Sequence, residues 1–360
     1  MKIFIDICHP ADVHFFRNFI ELMKNRGHSF FITARNKDCT FDLLDFYNIP
    51  YVSRGKGSGN TAGRIFYMLN TVRRLINLEK NYRPDLLLAF ASPYLAQVSR
   101  LTGIPGITVN DTESGSLPDR LTYPYVEAVL TPECNYKDIG DKKIKFRGYK
   151  EISCLHPNYF RPDKEIYSLL GLKQNEKYIL VRWVSRNVFH DRGKSGMSVK
   201  QKERIIEEFS KYARVFVSSE TELNHRMLPF KINIPAEKMH DVLAHSTLLF
   251  GESATMAAEA SVLGRPAIFM DNTGRGYITD MEKKYGIVSH YNITEENMIT
   301  AMEKCIGLIA SFDENSCNAM RKRIIADNID VTAFLVWFIE NFPESKSIMQ
   351  DNPDYQNIFY

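Results

Sequence analysis

Thr247-Leu248-Leu249-Phe250-Gly251-Glu252-Ser253-Ala254-Thr255-Met256-Ala257-Ala258-Glu259 runs from a short apolar strand into a helix through small and hydroxylated residues. A strand that turns this tightly into a helix is half of a βαβ unit. Free amides at the helix start, with the Ser253 and Thr255 hydroxyls beside them, form a site for phosphate oxygens, and the small Gly251 and Ala254 allow close approach. Thr255 and Glu259 are four residues apart and share a helix face. The Glu259 carboxylate is thereby placed to accept both hydrogens of a ribose diol while the helix end holds a diphosphate. The plainer reading is an N-cap followed by a solvated glutamate. Glu252 belongs to the same turn.

The same alternation extends in both directions. Tyr178–Trp183, Val215–Val217 and Pro266–Met270 read as further strands, with helices over Lys202–Tyr212, Lys238–His245 and Met256–Leu263, and three helical patterns close the chain. Toward the amino terminus, Met1–Ile7 reads as a strand and Phe15, Phe16, Phe19, Ile20, Leu22 and Met23 as a helix ending at Gly27, a residue suited to the left-handed C′ position. Phe30–Ile32 is a strand, Phe41–Tyr47 a helix, and Ser53–Asn60, with three glycines, a mobile loop. Leu86–Phe90 is a buried strand followed by an Ser92 N-cap and Pro93 at the first helical position; Ile107–Val109 is the next strand. The pattern weakens over Lys137–Pro162, which contains the charge run Asp141–Lys145, and a domain boundary is expected there. Two Rossmann-like α/β halves follow. Ligands bind such sheets beyond the carboxyl ends of the strands, so two facing halves would place those loops on opposite walls of one cleft.

Composition narrows the function classes. The 360 residues are 44% apolar, 12% aromatic and 25% charged, an ordinary globular balance. Forty-six basic and 43 acidic residues leave a formal charge of +3, which argues against nucleic acid as a partner. Six cysteines lack any CxxC or metal-ligand spacing and read as reduced thiols of a cytoplasmic protein. The amino terminus meets Asp6 and His9-Pro10 too early for a signal peptide, and no stretch of about 18 apolar residues predicts a transmembrane span. Contact with a membrane surface stays compatible with this composition.

Further candidates lie at the predicted strand ends. Asp271-Asn272-Thr273-Gly274-Arg275-Gly276-Tyr277 sets an arginine between two glycines, suggesting a backbone nest with a fixed cation for phosphate, although an Asn-Thr-Gly turn is common. In His9-Pro10-Ala11-Asp12-Val13-His14, Asp12 is expected to cap the helix and His14 to project from its first turn, with a side chain suited to taking a proton near neutral pH. Asn110-Asp111-Thr112-Glu113-Ser114-Gly115 offers the carboxylates of Asp111 and Glu113 as an acid–base pair, or as turn and cap residues. Arg182, Ser185, Arg186, His190, Asp191 and Arg192 form a dense polar group suited to a diphosphate or a leaving group. GxGxxG, P-loop, HExxH, GxSxG and DxD patterns are missing where they would be needed, so neither a metal nor another cofactor is expected.

His9–His14, Asn110–Gly115, Thr131–Cys134, Gly148–Glu151, His190-Asp191, Gly251–Glu259 and Asp271–Tyr277 together resemble an uncharacterised prokaryotic domain-of-unknown-function family of predicted glycosyltransferases. That family is distantly similar to non-hydrolysing UDP-N-acetylglucosamine 2-epimerases and to the peptidoglycan glycosyltransferase MurG. The resemblance implies the GT-B architecture, with an acceptor-side Rossmann-like domain over 1–158, a nucleotide-sugar domain over 159–332, and a helix and tail over 333–360 packing back on the first domain. It also implies that Glu259 holds the ribose and Ser253, Ala254 and Thr255 the diphosphate. His190 falls where the epimerases have a histidine in the first loop of the second domain, Glu113 near their glutamate in a Glu-Ala-Gly turn, and His14 near a histidine in the first loop of MurG-like enzymes. The chain departs from its relatives in carrying Ala254-Thr255 where the epimerases have Gly-Gly and His9–Asp12 where MurG has a glycine-rich loop. The implied activity is inverting transfer from a UDP-sugar, an N-acetylhexosamine, in surface polysaccharide or glycolipid assembly. UDP-N-acetylhexosamine 2-epimerisation and a non-catalytic sugar-nucleotide-binding subunit are the alternatives. The expected partners are the nucleotide sugar and a sugar or lipid-linked acceptor; a homodimer is also compatible.

Overall fold

A computed structural model describes residues 1–57, 61–113, 115–185 and 196–360. The chain forms two compact units, Met1–His156 together with Asn328–Tyr360, and Pro157–Asp327.

The first unit is built on a seven-stranded parallel sheet of β1 (Lys2–Ile7), β2 (Ser29–Ala34), β3 (Val52–Ser53), β4 (Leu86–Phe90), β5 (Gly106–Val109), β6 (Ala128–Pro132) and β7 (Lys143–Phe146). Its spatial order is β3-β2-β1-β4-β5-β6-β7. Helices α1 (Pro10–Asn25), α2 (Thr40–Phe46), α3 (Thr61–Tyr82), α4 (Pro93–Thr102), α5 (Ser116–Arg120) and α6 (Ile152–Leu155) connect or flank the strands. The central strands are buried along nearly their whole length, from Ile3 to Ile7 on β1, Leu86 to Ala89 on β4 and throughout β5, as a sheet covered on both faces requires. The helix α4 starts as its residues dictate: the Ser92 hydroxyl accepts the Leu95 amide and Pro93 fills the first turn.

The second unit carries α7 (Ile166–Leu169), β8 (Tyr178–Trp183), α8 (Val199–Phe209), β9 (Arg214–Ser219), α9 (Met239–His245), β10 (Leu248–Gly251), α10 (Ala254–Val262), β11 (Ala267–Met270), α11 (Gly276–Tyr285), β12 (Val288–Tyr291), α12 (Glu295–Ala310) and α13 (Glu314–Ala326). Its five parallel strands run β12-β11-β10-β8-β9. A core of Trp183, Phe209, Phe250, Val217 and Met302 lies on one face of that sheet. Two last helices, α14 (Val331–Glu340) and α15 (Glu344–Asp351), belong to the first unit, where α14 packs on α1 and α6.

Four elements differ from the sequence reading. The strand β12 and five helices, rather than three helical patterns alone, follow β11; Val-Ser-His-Tyr is half polar because β12 is an edge strand. The weak stretch holds β7, another edge strand, whose Ile144 and Phe146 face inward while Lys145 is exposed. The long α3 had no expected counterpart, since asparagines and arginines interrupt its apolar residues. The glycine-rich stretch is not loose throughout, because Arg54 is buried and its Nε lies 2.9 Å from Asp6 Oδ1; residues 58–60 lie outside the described part.

Asp6 sits on β1 beside β4, where the strand order reverses. It also accepts hydrogen bonds from Thr33 on β2 (2.9 Å) and from Ser92 before α4 (2.7 Å). Arg54→Met leaves that carboxylate buried without its cation, and urea unfolding should show a loss of about 3–5 kcal/mol.

Candidate functional site

In each unit the polar residues gather where the parallel-sheet rule puts ligands, at the carboxyl ends of the strands beside the point of strand-order reversal. In the second unit this point lies between β8 and β10. Gly251 ends β10 against the backbone of β8 so closely that a Cβ would stand 2.2 Å from the Arg182 carbonyl oxygen. Ser253 then caps α10, its hydroxyl accepting the Met256 amide at 3.3 Å. Ala254 and Thr255 follow as the first helical residues, half-buried, with amides that precede any intrahelical acceptor. One turn on, Glu259 is 7% exposed and lies 3.3 Å from His240 Nε2.

Glu252 departs from its expected role at a ligand. Its carboxylate is buried, lies 2.9 Å from Lys202 Nζ and accepts the Met197 amide at 3.1 Å, so it fastens the turn to the start of α8. The loop after β11 also differs from expectation. Neither Gly274 nor Gly276 has the positive φ that a nest needs. Arg275 instead folds back on its own loop, donating to Thr273 Oγ1 at 2.9 Å and the Gly274 carbonyl at 3.1 Å, with Asp271 at 3.9 Å. Thr273 donates in turn to the Asp271 carboxylate. Arg275 is thus a cation held in place by the loop. Arg186, His190, Asp191 and Arg192, and Ser114 in the first unit, lie outside the described residues.

In the first unit, His9 rather than Asp12 is the N-cap of α1. Asp12 occupies the third helical position and accepts the Cys8 and His9 amides at 2.8 and 3.0 Å through one oxygen. Burial outweighs these hydrogen bonds and the Lys150 charge, and pushes the Asp12 carboxyl up to about 7. His14 is the fifth residue of α1, in its second turn, half-buried with its ring edge-on to Tyr47 at 6.3 Å. Two residues apart on a helix, Asp12 and His14 do not share a face.

Asp12 instead feels the charge of Lys150, far from it in sequence. Lys150, shortly after β7, places its ammonium 2.5 Å from Asp111 and 3.8 Å from Glu151, and over the Phe90 ring at 5.2 Å. Asp111 and Glu151 are both buried. Glu113, two residues beyond Asp111, is half-buried, and its carbonyl accepts from Lys137 at 3.2 Å. Lys150 therefore pairs with Asp111 and Glu151, its charge reaches Asp12, and His14 lies on another face of α1. Lys150 stands in the Gly148–Glu151 segment that the resemblance marks, but its place at the carboxyl edge of the sheet is visible only once Lys143–Phe146 is seen as a strand.

The chain belongs to the family described as a protein of unknown function, DUF354, whose model matches residues 1–329. An uncharacterized protein of Methanocaldococcus jannaschii is 24% identical over 280 residues, covering 74% of this chain and 81% of that protein. Among solved structures, the UDP-GlcNAc 2-epimerase of Neisseria meningitidis bound to UDP-GlcNAc is similar with a TM-score of 0.71 and 15% identity, over 94% of this chain and 100% of that one. A spinosyn rhamnosyltransferase complexed with spinosyn aglycone is similar with a TM-score of 0.58 and 15% identity, over 95% and 100%. The fold is thus GT-B-like, structurally akin to UDP-sugar epimerases and glycosyltransferases. No helix among the described residues is long and apolar enough to cross a membrane.

Two outcomes follow from this geometry. Gly251→Ala drives a methyl group into the β8 backbone, so the variant should lose several kcal/mol in urea unfolding or fail to accumulate as folded protein. Asp12 binds its proton more tightly in the folded chain than in the unfolded one. Its contribution to stability is therefore present at low pH and lost as pH rises toward about 7, on the order of 4 kcal/mol in all. Subtracting the Asp12→Asn stability curve from that of the wild type, measured from pH 4 to 8, should give a difference that falls across this range; a flat difference would contradict the shift.

Proposed function

We propose that this member of the family is a glycosyltransferase that takes a UDP-sugar donor, an N-acetylhexosamine, for surface polysaccharide or glycolipid assembly. The observation that carries the reading is the turn from β10 into α10. It combines a backbone approach that only glycine tolerates, half-buried helix-start amides at Ala254 and Thr255, and a buried carboxylate at Glu259 on the face of Thr255. Such a helix start suits a diphosphate, and a carboxylate one turn on suits a ribose diol.

In the proposed reaction the diphosphate leaves with its charge held by the Ser253–Thr255 amides and by Arg275. A group of the first unit takes the proton of the attacking acceptor hydroxyl, and the new glycosidic bond forms with inversion. Asp12 suits that proton transfer, since burial brings its carboxyl near neutrality. His14 is the other candidate base. The Asp111–Lys150–Glu151 group favours one second reading, UDP-N-acetylhexosamine 2-epimerisation, because several acid–base groups close together suit proton removal and return on one sugar.

Binding of UDP, GDP, CDP and dTDP by calorimetry tests the donor site. UDP should bind selectively, and Glu259→Gln should raise its Kd at least about tenfold while the fold is retained. Unchanged affinity would remove the ribose contact, and no nucleotide binding at all would overturn the reading. Incubation with UDP-N-acetylglucosamine alone separates the two reactions: a new hexosamine epimer selects epimerisation, and an unchanged sugar that is consumed only with an added acceptor selects transfer.

A further inference from the structure

The outer face of α3 exposes large apolar side chains beside a row of cations. Its inner face is committed to the core, where Met68, Val72, Leu75 and Ile76 pack with Leu87, Leu95 and Val98. Its outward residues, Phe66, Leu69, Asn70, Arg73, Arg74, Asn77, Lys80 and Asn81, recur at intervals of three and four and fill one stripe roughly 20 Å long. Phe66 is 67% exposed and Leu69 65%, among the most exposed large apolar side chains of the described residues. Arg73, Arg74 and Lys80 continue the stripe. The one carboxylate of the helix, Glu79, is buried on the opposite side. Among the described residues no acid pairs with the three cations.

Two large apolar residues at one end of a stripe and cations without counter-charge along the rest match the make-up of a helix that lies on a lipid surface. We infer that the outer face of α3 is a docking surface for an anionic phospholipid membrane, with Phe66 and Leu69 entering the headgroup boundary and Arg73, Arg74 and Lys80 facing lipid phosphates. Charge complementarity selects this occupant. A second copy docking through the same face would bring the three cations against like charge, whereas an anionic leaflet strengthens binding about fivefold for each cation that reaches it. The inference does not depend on the proposed reaction and would stand if that reading failed.

Co-sedimentation of the full chain with vesicles tests it, using phosphatidylcholine alone and phosphatidylcholine with one third phosphatidylglycerol. The protein should sediment with the anionic vesicles, be released by raised salt, and stay in solution with phosphatidylcholine alone. The double charge reversal R73E/R74E should weaken binding more than tenfold. F66S/L69S should weaken it severalfold, and both variants should keep the wild-type melting temperature because the changed side chains are exposed. Absence of sedimentation with either vesicle would overturn the inference, as would binding that both variants retain. Elution of the wild type as a dimer that F66S/L69S converts to monomer, without vesicle binding, would also overturn it and assign the face to self-association.

Discussion

A single carboxylate organises the first unit. Asp6 is fully buried on the central strand β1, and an ionised group there is tolerated only if its charge and its lone pairs are met. They are met from four directions: Arg54 after β3, Thr33 on β2, Ser92 before α4, and the Cys8 thiol at 3.6 Å. Arg54 in turn donates to Cys8 Sγ at 2.9 Å and to the Tyr67 hydroxyl on α3 at 3.1 Å, and covers the Tyr94 ring at 4.7 Å. One ion pair thus fixes the ends of two strands, the start of α4 and the side of α3. The loops after β1, β3 and β4 at this edge of the sheet are positioned relative to it.

The second unit solves the same problem by another route. Where the first unit binds its strand ends through a buried aspartate and arginine, the second brings the backbones of β8 and β10 into contact at Gly251 and locks the next residue, Glu252, onto Lys202 and the Met197 amide. Lys202 also lies over the Trp183 ring at 5.0 Å. The acidic residue nearest the helix start is therefore turned away from it, and its negative charge is matched within the fold. A helix start that is to face phosphate gains from this arrangement, because a carboxylate beside those amides would compete for them.

These contacts explain what could be read from the sequence. Apolar runs such as Leu86–Phe90 and Tyr178–Trp183 announce buried parallel strands, and Ser92-Pro93 announces a helix start, because in each case the cause is local. β7, β12 and α3 escape the sequence pattern because polar residues interrupt their apolar ones: Lys145 faces solvent on β7, Ser289 and His290 are bonded within the fold on β12, and asparagines and arginines line the outside of α3. Arg54 looked like part of a glycine-rich loop because its partner, Asp6, is distant in the chain and meets it only through the strand order β3-β2-β1. The same holds at the candidate site. Asp12 was legible as a helix-start residue, but its tie to Lys150 depends on β1, β5 and β7 sharing one carboxyl edge. Glu252 read as part of a phosphate turn because nothing near it in sequence reveals Lys202.

The grouping around Lys150 assigns different work to the two aspartates in the proposed transfer. Asp111 has an ammonium at 2.5 Å and the Thr112 hydroxyl at 3.0 Å, so both of its oxygens are engaged and its orientation is fixed. Asp12 is held through one oxygen alone, by two backbone amides, and no hydrogen bond among the described residues engages the other. A carboxyl fixed by one oxygen and titrating near neutrality can accept a proton without losing the contacts that position it. Asp111 would give up an ion pair to do the same. Proton transfer in the proposed reaction therefore falls more naturally to Asp12, with the Lys150 charge, itself held by Asp111, acting on it.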